Sequence, residues 1–137
     1  MCKKGWAVVK AADCENAKLI LDTWHWVRAN QPIELSVLEG IPADKIVSIQ
    51  INDVWERPYA TTILRDESMH DRLAPGTGIG TTVPFVKMIK GKRHQTQMPR
   101  RRRLSAMQTL KKGIEYAAKH TYENTKKVLE EAWPEVL

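Results

Sequence analysis

Leu19, Ile20 and Leu21 form an unbroken apolar run that stops at Asp22, and His25 follows three residues later between Trp24 and Trp26. A continuous run of this length suits a parallel strand covered on both faces, here residues 18–22. The stretch before it, GWAVVKAADCEN (5–16), reads as a short helix or its tail, with Asn16 as a stop. After Asp22 the pattern predicts a loop that begins with His25. PIELSVLEG then predicts a helix, with Pro32 in the first turn and Gly40 just past the last. KIVSIQIND (45–53), entered through the turn residues of PADK, is rich in Ile and Val and predicts a second strand. Strand, helix and strand over about thirty residues match one βαβ unit, with parallel strands and a right-handed crossover.

Residues 54–82 hold no clear period and read as a long irregular stretch, which in a compact domain points to function. VPFVKMIKG (83–91) begins another helix. The clearest pattern comes last. From Leu110 to Trp133, apolar and small residues recur every three or four positions, at Ile114, Ala118, Thr121/Tyr122, Thr125, Leu129, Ala132/Trp133 and on to Val136. That spacing predicts an amphipathic helix whose Ile114–Leu129–Val136 stripe packs on the sheet layer.

Composition narrows the class. The 137 residues suit one domain, with 42% hydrophobic and 28% charged residues. No apolar run approaches the ~20 residues of a membrane span, so no membrane partner is expected. Cys2 and Cys14 have neither metal-site spacing nor a disulfide framework, which suits a reducing cytoplasm. The net charge is +6, yet residues 90–103 alone hold seven Lys and Arg and no acidic residue. The basicity thus belongs to one segment.

Strand parity brings candidate chemistry together. In the second strand Val47, Ile49 and Ile51 share one face, while Ser48, Gln50 and Asn52 share the other. The apolar face suits packing under helices, and the polar one suits the inside of a barrel near its mouth. Asp22 ends the first strand, and ligands of parallel α/β folds gather at the carboxyl ends of strands. Asp22, His25 and Gln50 are therefore expected at one place. Each also has a plainer reading: Asp22 as a helix or turn cap, His25 as a packed or surface ring, Gln50 as a solvated side chain.

LDTWHW, VSIQINDVW and HDRLAPGTG resemble the sugar phosphate isomerase/epimerase superfamily, the xylose-isomerase-like barrels that include inosose and 3-dehydroshikimate dehydratases. The family's Asp-x-x-His matches Asp22 and His25. Its His or Gln before a short x-x-Asp matches Gln50 and Asp53. Its later loop, His or Arg and then R-x-x-P-G-E-G, matches His70, Arg72, Pro75, Gly76 and Gly78. The ending IEYAAKHTYENTKKVLEEAWPEVL is similar to the family's last helix. The resemblance implies an α/β fold, a partial (β/α) TIM-barrel-like fragment with a long C-terminal helix. It divides one partial barrel domain (1–137) into βα units like barrel strands six and seven (1–91), a basic irregular segment (92–109) and the C-terminal helix (110–137). It implies a divalent metal, Mn or Mg, on Asp22 and Gln50, with His25 holding substrate or moving a proton, and His70 and Arg72 contacting a sugar-like or polyol substrate.

The departures from that pattern shape the functional expectation. A whole barrel needs about 250 residues. In the family the metal sits on Glu, Asp, His or Gln, and Glu, taken from four strands, and the first Glu belongs to an earlier strand. The eighth strand, which carries the last Glu, would fall where KGKRHQTQMPRRRRLSAMQTLKK shows neither a strand pattern nor an acidic residue. Thr77 stands where the family has Glu. We expect metal-dependent isomerisation, epimerisation or dehydration by descent, weak or absent in the isolated chain, with a second chain as the candidate to complete the barrel. Nucleic-acid or acidic-partner binding through 90–103 is the other class, and a non-functional remnant is the third. RRRR has no interleaved aromatics and reads first as a solvated loop, so nucleic acid is not the expected partner.

Overall fold

A computed structural model describes residues 2–29, 34–56, 64–79, 81–93, 102–104 and 113–137. In chain order these form α1 (Cys2–Ala12), β1 (Leu19–Asp22), α2 (Thr23–Ala29), β2 (Ile46–Ile51), α3 (Leu64–His70), α4 (Thr82–Arg93), β3 (Arg102–Leu104) and α5 (Ile114–Ala132). Short 3-10 turns at Leu35–Leu38 and Ala43–Lys45 lead into β2, and a third at Pro134–Val136 ends the chain.

β1 and β2 run parallel, with Leu21 opposite Ile49 and Asp22 opposite Gln50. β2 pairs in turn with β3, again parallel, with Gln50 opposite Arg103. The sheet order β1-β2-β3 follows the chain, as in a sector of barrel wall. Side chains alternate between the two faces. Leu21, Ile49 and Ile51 turn toward the helices and are buried with Trp26, Val27, Phe85, Val86 and Ile89. Trp26 and Phe85, from α2 and α4, meet with ring centroids 5.5 Å apart. On the other face Ile20 is 59% exposed and Ser48 and Gln50 are half-buried. One face is a core; the other is open.

The carboxyl ends of β1 and β2 are locked by one hydroxyl. Thr23 Oγ1 accepts the Asn52 N–H at 2.9 Å and donates to the Asn52 carbonyl at 2.5 Å. Thr82, at the start of α4, donates to the same carbonyl at 3.3 Å. α4 packs beside α5. Lys87 pairs with Glu131 of α5, and Lys90 with Glu135 of the terminal 3-10 turn, but such surface pairs contribute little. Apolar burial on α5 (Ala117, Val128, Leu129, Ala132) holds the contact. Among the described residues no helix is long and apolar enough to cross a membrane.

Several expected elements differ. The first helix covers Cys2–Ala12, ahead of the expected 5–16, and Asp13 closes it with a positive φ of 42°. No loop separates β1 from α2, which starts at Thr23 and places His25 in a helix. Leu35–Leu38 is a 3-10 turn where a longer helix was expected, and residues 30–33 lie outside the described part. The irregular stretch 54–82 contains α3, which begins with the acidic residues Asp66 and Glu67, favourable at a helix N-terminus. Within the basic segment Arg102–Leu104 is a strand, at the place of the expected eighth. Ladder pairing is a backbone property and needs no apolar pattern. On α5 the stripe holds from Thr125 onward, but Ile114 is 77% exposed and Ala117 takes the buried position near the helix start.

The layer assignment has a measurable consequence. Phe85→Ala should cost about 3–5 kcal/mol, whereas Ile20→Ala should stay within about 0.5 kcal/mol. Urea denaturation midpoints of both variants check this, and equal losses would show that the inner face is not open.

Candidate functional site

Asp22 is the last residue of β1 and sits directly before α2. Its Oδ1 accepts the His25 N–H at 3.1 Å, capping the first turn of the helix. The Asn52 side-chain amide donates to the same oxygen at 3.4 Å. The other oxygen, Oδ2, lies 2.7 Å from Nη1 of Arg72, in a pair whose side chains are only 8% and 11% exposed. Arg72 reaches it as a braced group. Its Nε donates to the Ser68 carbonyl at 2.8 Å and its Nη2 to Ser68 Oγ at 2.9 Å. Its guanidinium lies 5.2 Å from the Trp24 ring centre, a cation–π arrangement. Nη2 also stands 3.5 Å from His25 Nε2, which can accept there only with the ring hydrogen on Nδ1. The exposed imidazole meets Trp24 edge-on, with centroids 4.9 Å apart.

The loop that delivers Arg72 is pinned to the end of β2. Asp53 and Leu73 exchange backbone hydrogen bonds of 2.9 and 3.0 Å, and Ile79 N–H reaches the Val54 carbonyl at 3.2 Å. The glycines of PGTG follow from this closeness. A Cβ on Gly78 would strike the Val54 carbonyl oxygen and come within 2.8 Å of the Asp53 carboxyl, and Gly76 has a φ of +76°. Asp53 is buried against this loop. Burial holds its carboxyl above the usual Asp value, countered in part by the N–H groups of Val54, Gly78 and Gly76 and by the Thr82 hydroxyl.

A second ion pair supports the same wall. Arg28 of α2 donates Nε and Nη2 to Glu67 Oε1 of α3, at 3.0 and 2.5 Å, and Nη2 also reaches the Trp55 carbonyl at 3.1 Å. Both side chains are nearly inaccessible, at 4% and 2%. Glu67 thereby fixes the helix that carries Ser68, the brace of Arg72.

Of the residues anticipated from sequence, Asp22, His25 and Arg72 come together. Gln50 is the register partner of Asp22 on β2. His70 is exposed at the end of α3 and makes no polar contact among the described residues. Sequence reasoning missed Arg28, Glu67, Ser68 and Asn52. The plainer reading of Asp22, a helix cap, holds together with its pairing role. A divalent metal fits this arrangement poorly. Asp22 already has a guanidinium on one oxygen and hydrogen bonds on the other. Arg102, Arg103 and Leu104 occupy the strand expected to bring a further carboxylate. Among the described residues no three of His, Cys, Asp and Glu gather as an ion-binding group.

No protein-family model and no curated sequence matches the chain. Solved structures do. IolI, crystallised with a bound zinc atom, superposes with a TM-score of 0.73 at 17% identity, over 96% of this chain and 44% of that one. A xylose isomerase-like TIM barrel/4-hydroxyphenylpyruvate dioxygenase fusion protein gives 0.64 at 24% identity, over 93% and 20%. The fold is therefore that of a xylose-isomerase-like TIM barrel in part, as the sequence motifs imply. The chain spans less than half the length of each of these two structures.

Two variants examine the supports of the site. Arg28→Met should cost about 3–5 kcal/mol, because it leaves the buried Glu67 carboxyl without its ion-pair partner, and Arg28→Met/Glu67→Leu should recover most of the loss in thermal melts. A buried acid whose folded pKa is raised contributes stability that is present below its unfolded value, near 3.9, and lost as pH rises through the folded one. Wild type should therefore lose stability relative to Asp53→Asn as pH rises from about 4, levelling off above the raised value. Denaturation curves across that range measure the difference.

Proposed function

We propose that this chain is a sugar phosphate isomerase/epimerase-like protein whose ligand site is the mouth formed by Asp22, His25, Gln50 and Arg72. The observation that carries this reading is the Asp22–Arg72–His25 cluster at the carboxyl end of a parallel strand in a barrel sector. Parallel α/β folds place their chemistry there. In this reading Arg72 presents N–H donors to a hydroxyl or anionic oxygen of a sugar-like or polyol ligand, with Trp24 as an apolar wall. His25, exposed beside Trp24 and Arg72, holds the substrate or moves a proton. His70 contributes a substrate contact from the end of α3. Asp22 and Gln50 are the residues that would hold a divalent ion, and only weakly. IolI carries zinc, which supports a metal in such barrels in general.

The open inner face also belongs to this proposal. Ile20, Ser48 and Gln50 line the side that a complete barrel closes, and further βα units would cover it, on a second chain in the case of the 137 residues alone. Turnover by these residues alone should be negligible. Binding of ketoses, ketose phosphates and polyols, followed by saturation-transfer NMR, is the test. Millimolar contacts with at least one of these ligands that disappear in His25→Ala or Arg72→Gln would support the site. Contacts unchanged in both variants would place the ligand elsewhere and remove the proposal.

A further inference from the structure

We infer that Arg72 is the resident cation of this site and competes directly with divalent metal for Asp22. The geometry of the pair carries this, apart from any isomerase activity. Asp22 Oδ2 takes Arg72 Nη1 at 2.7 Å, and the guanidinium is not a chance surface contact. It is held by the Ser68 carbonyl at 2.8 Å, by Ser68 Oγ at 2.9 Å and by the face of Trp24 at 5.2 Å. It thus occupies the carboxylate with most of its side-chain freedom already spent, which lowers the entropic cost of keeping it there.

A divalent ion would need the same oxygen. To bind, it must expel a charge-assisted hydrogen bond from a largely water-free position. It must then tolerate a displaced guanidinium close by, which repels it. The remaining oxygen offers little relief, since it receives the His25 N–H and the Asn52 amide. Across the sheet the register row reads Asp22, Gln50, Arg103, so the third position is another arginine and no carboxylate. One negative charge in the row already has its partner. Asp22 and Arg72 neutralise each other, and the metal affinity of the site is limited by Arg72 more than by the number of oxygens.

The experiment is a Mn²⁺ titration of the full 137-residue chain followed by electron paramagnetic resonance, which reads free ion and needs no turnover. Arg72→Gln should bind Mn²⁺ at least about tenfold more tightly than wild type, since removing a bound cation removes both the competition and the repulsion. The gain should vanish in Arg72→Gln/Asp22→Asn. Ser68→Ala keeps both charges and loosens only the brace, so it should give a smaller gain. It decides the question if Arg72→Gln fails to fold. Wild type binding as tightly as Arg72→Gln would overturn the inference, as would a gain that survives loss of Asp22, or no gain in Ser68→Ala where that variant alone can be measured. Sugar binding is not read in this titration, so the inference and the functional proposal fail independently.

Discussion

A short parallel sheet covered on one side governs the rest of this structure. Parallel strands ordinarily have both faces buried, because their crossovers return along helices and a closed barrel fills its own interior. Here the helices cover one face, where Leu21, Ile49 and Ile51 lie within the core. The other face carries a half-open row of Ile20, Ser48 and Gln50. Among the described residues the buried apolar cover lies on the helix side, and the strand ends are fixed by other means. Thr23 with Asn52, and Asp53 with Leu73, provide these through hydrogen bonds at the very end where chemistry would occur.

Charges at that end are arranged for mutual satisfaction. Arg28–Glu67 and Asp22–Arg72 are both nearly dry pairs. Replacing such pairs with apolar groups is often harmless, whereas splitting them is costly. The first ties α2 to α3, and the second ties the end of β1 to the loop after α3. α2 supplies Arg28 to the first pair and has its first turn capped by Asp22 of the second, so its placement and that of the Arg72 loop are set together.

The two main strands, their parallel direction and the C-terminal helix were legible because each rests on a repeated pattern. Val47, Ile49 and Ile51 mark β2, and the spacing from Thr125 to Ala132 marks α5. What was hidden depends on single contacts. α2 consists of Thr23, Trp24, His25, Trp26, Val27 and two more residues, mostly weak helix formers, and it is held by the Asp22 cap and by Trp26 in the core. β3 is Arg-Arg-Leu, a strand by backbone pairing alone. In the candidate site, Asp22 and Arg72 stood out by motif, but their direct pairing spans 50 residues of sequence and no local signal announces it. Arg28 and Glu67, 39 residues apart, are hidden for the same reason.

Asp22 occupies a position where architecture and chemistry ask for the same side chain. Its Oδ1 closes the N-terminus of α2, and that task alone would select Asp, Asn, Ser or Thr at the end of β1. Ion pairing with Arg72 then narrows the choice to a carboxylate. Folding by itself therefore preserves the residue, with or without a reaction to serve. A lineage that abandoned catalysis would have no reason to shed it, and one that resumed catalysis would find it already in place.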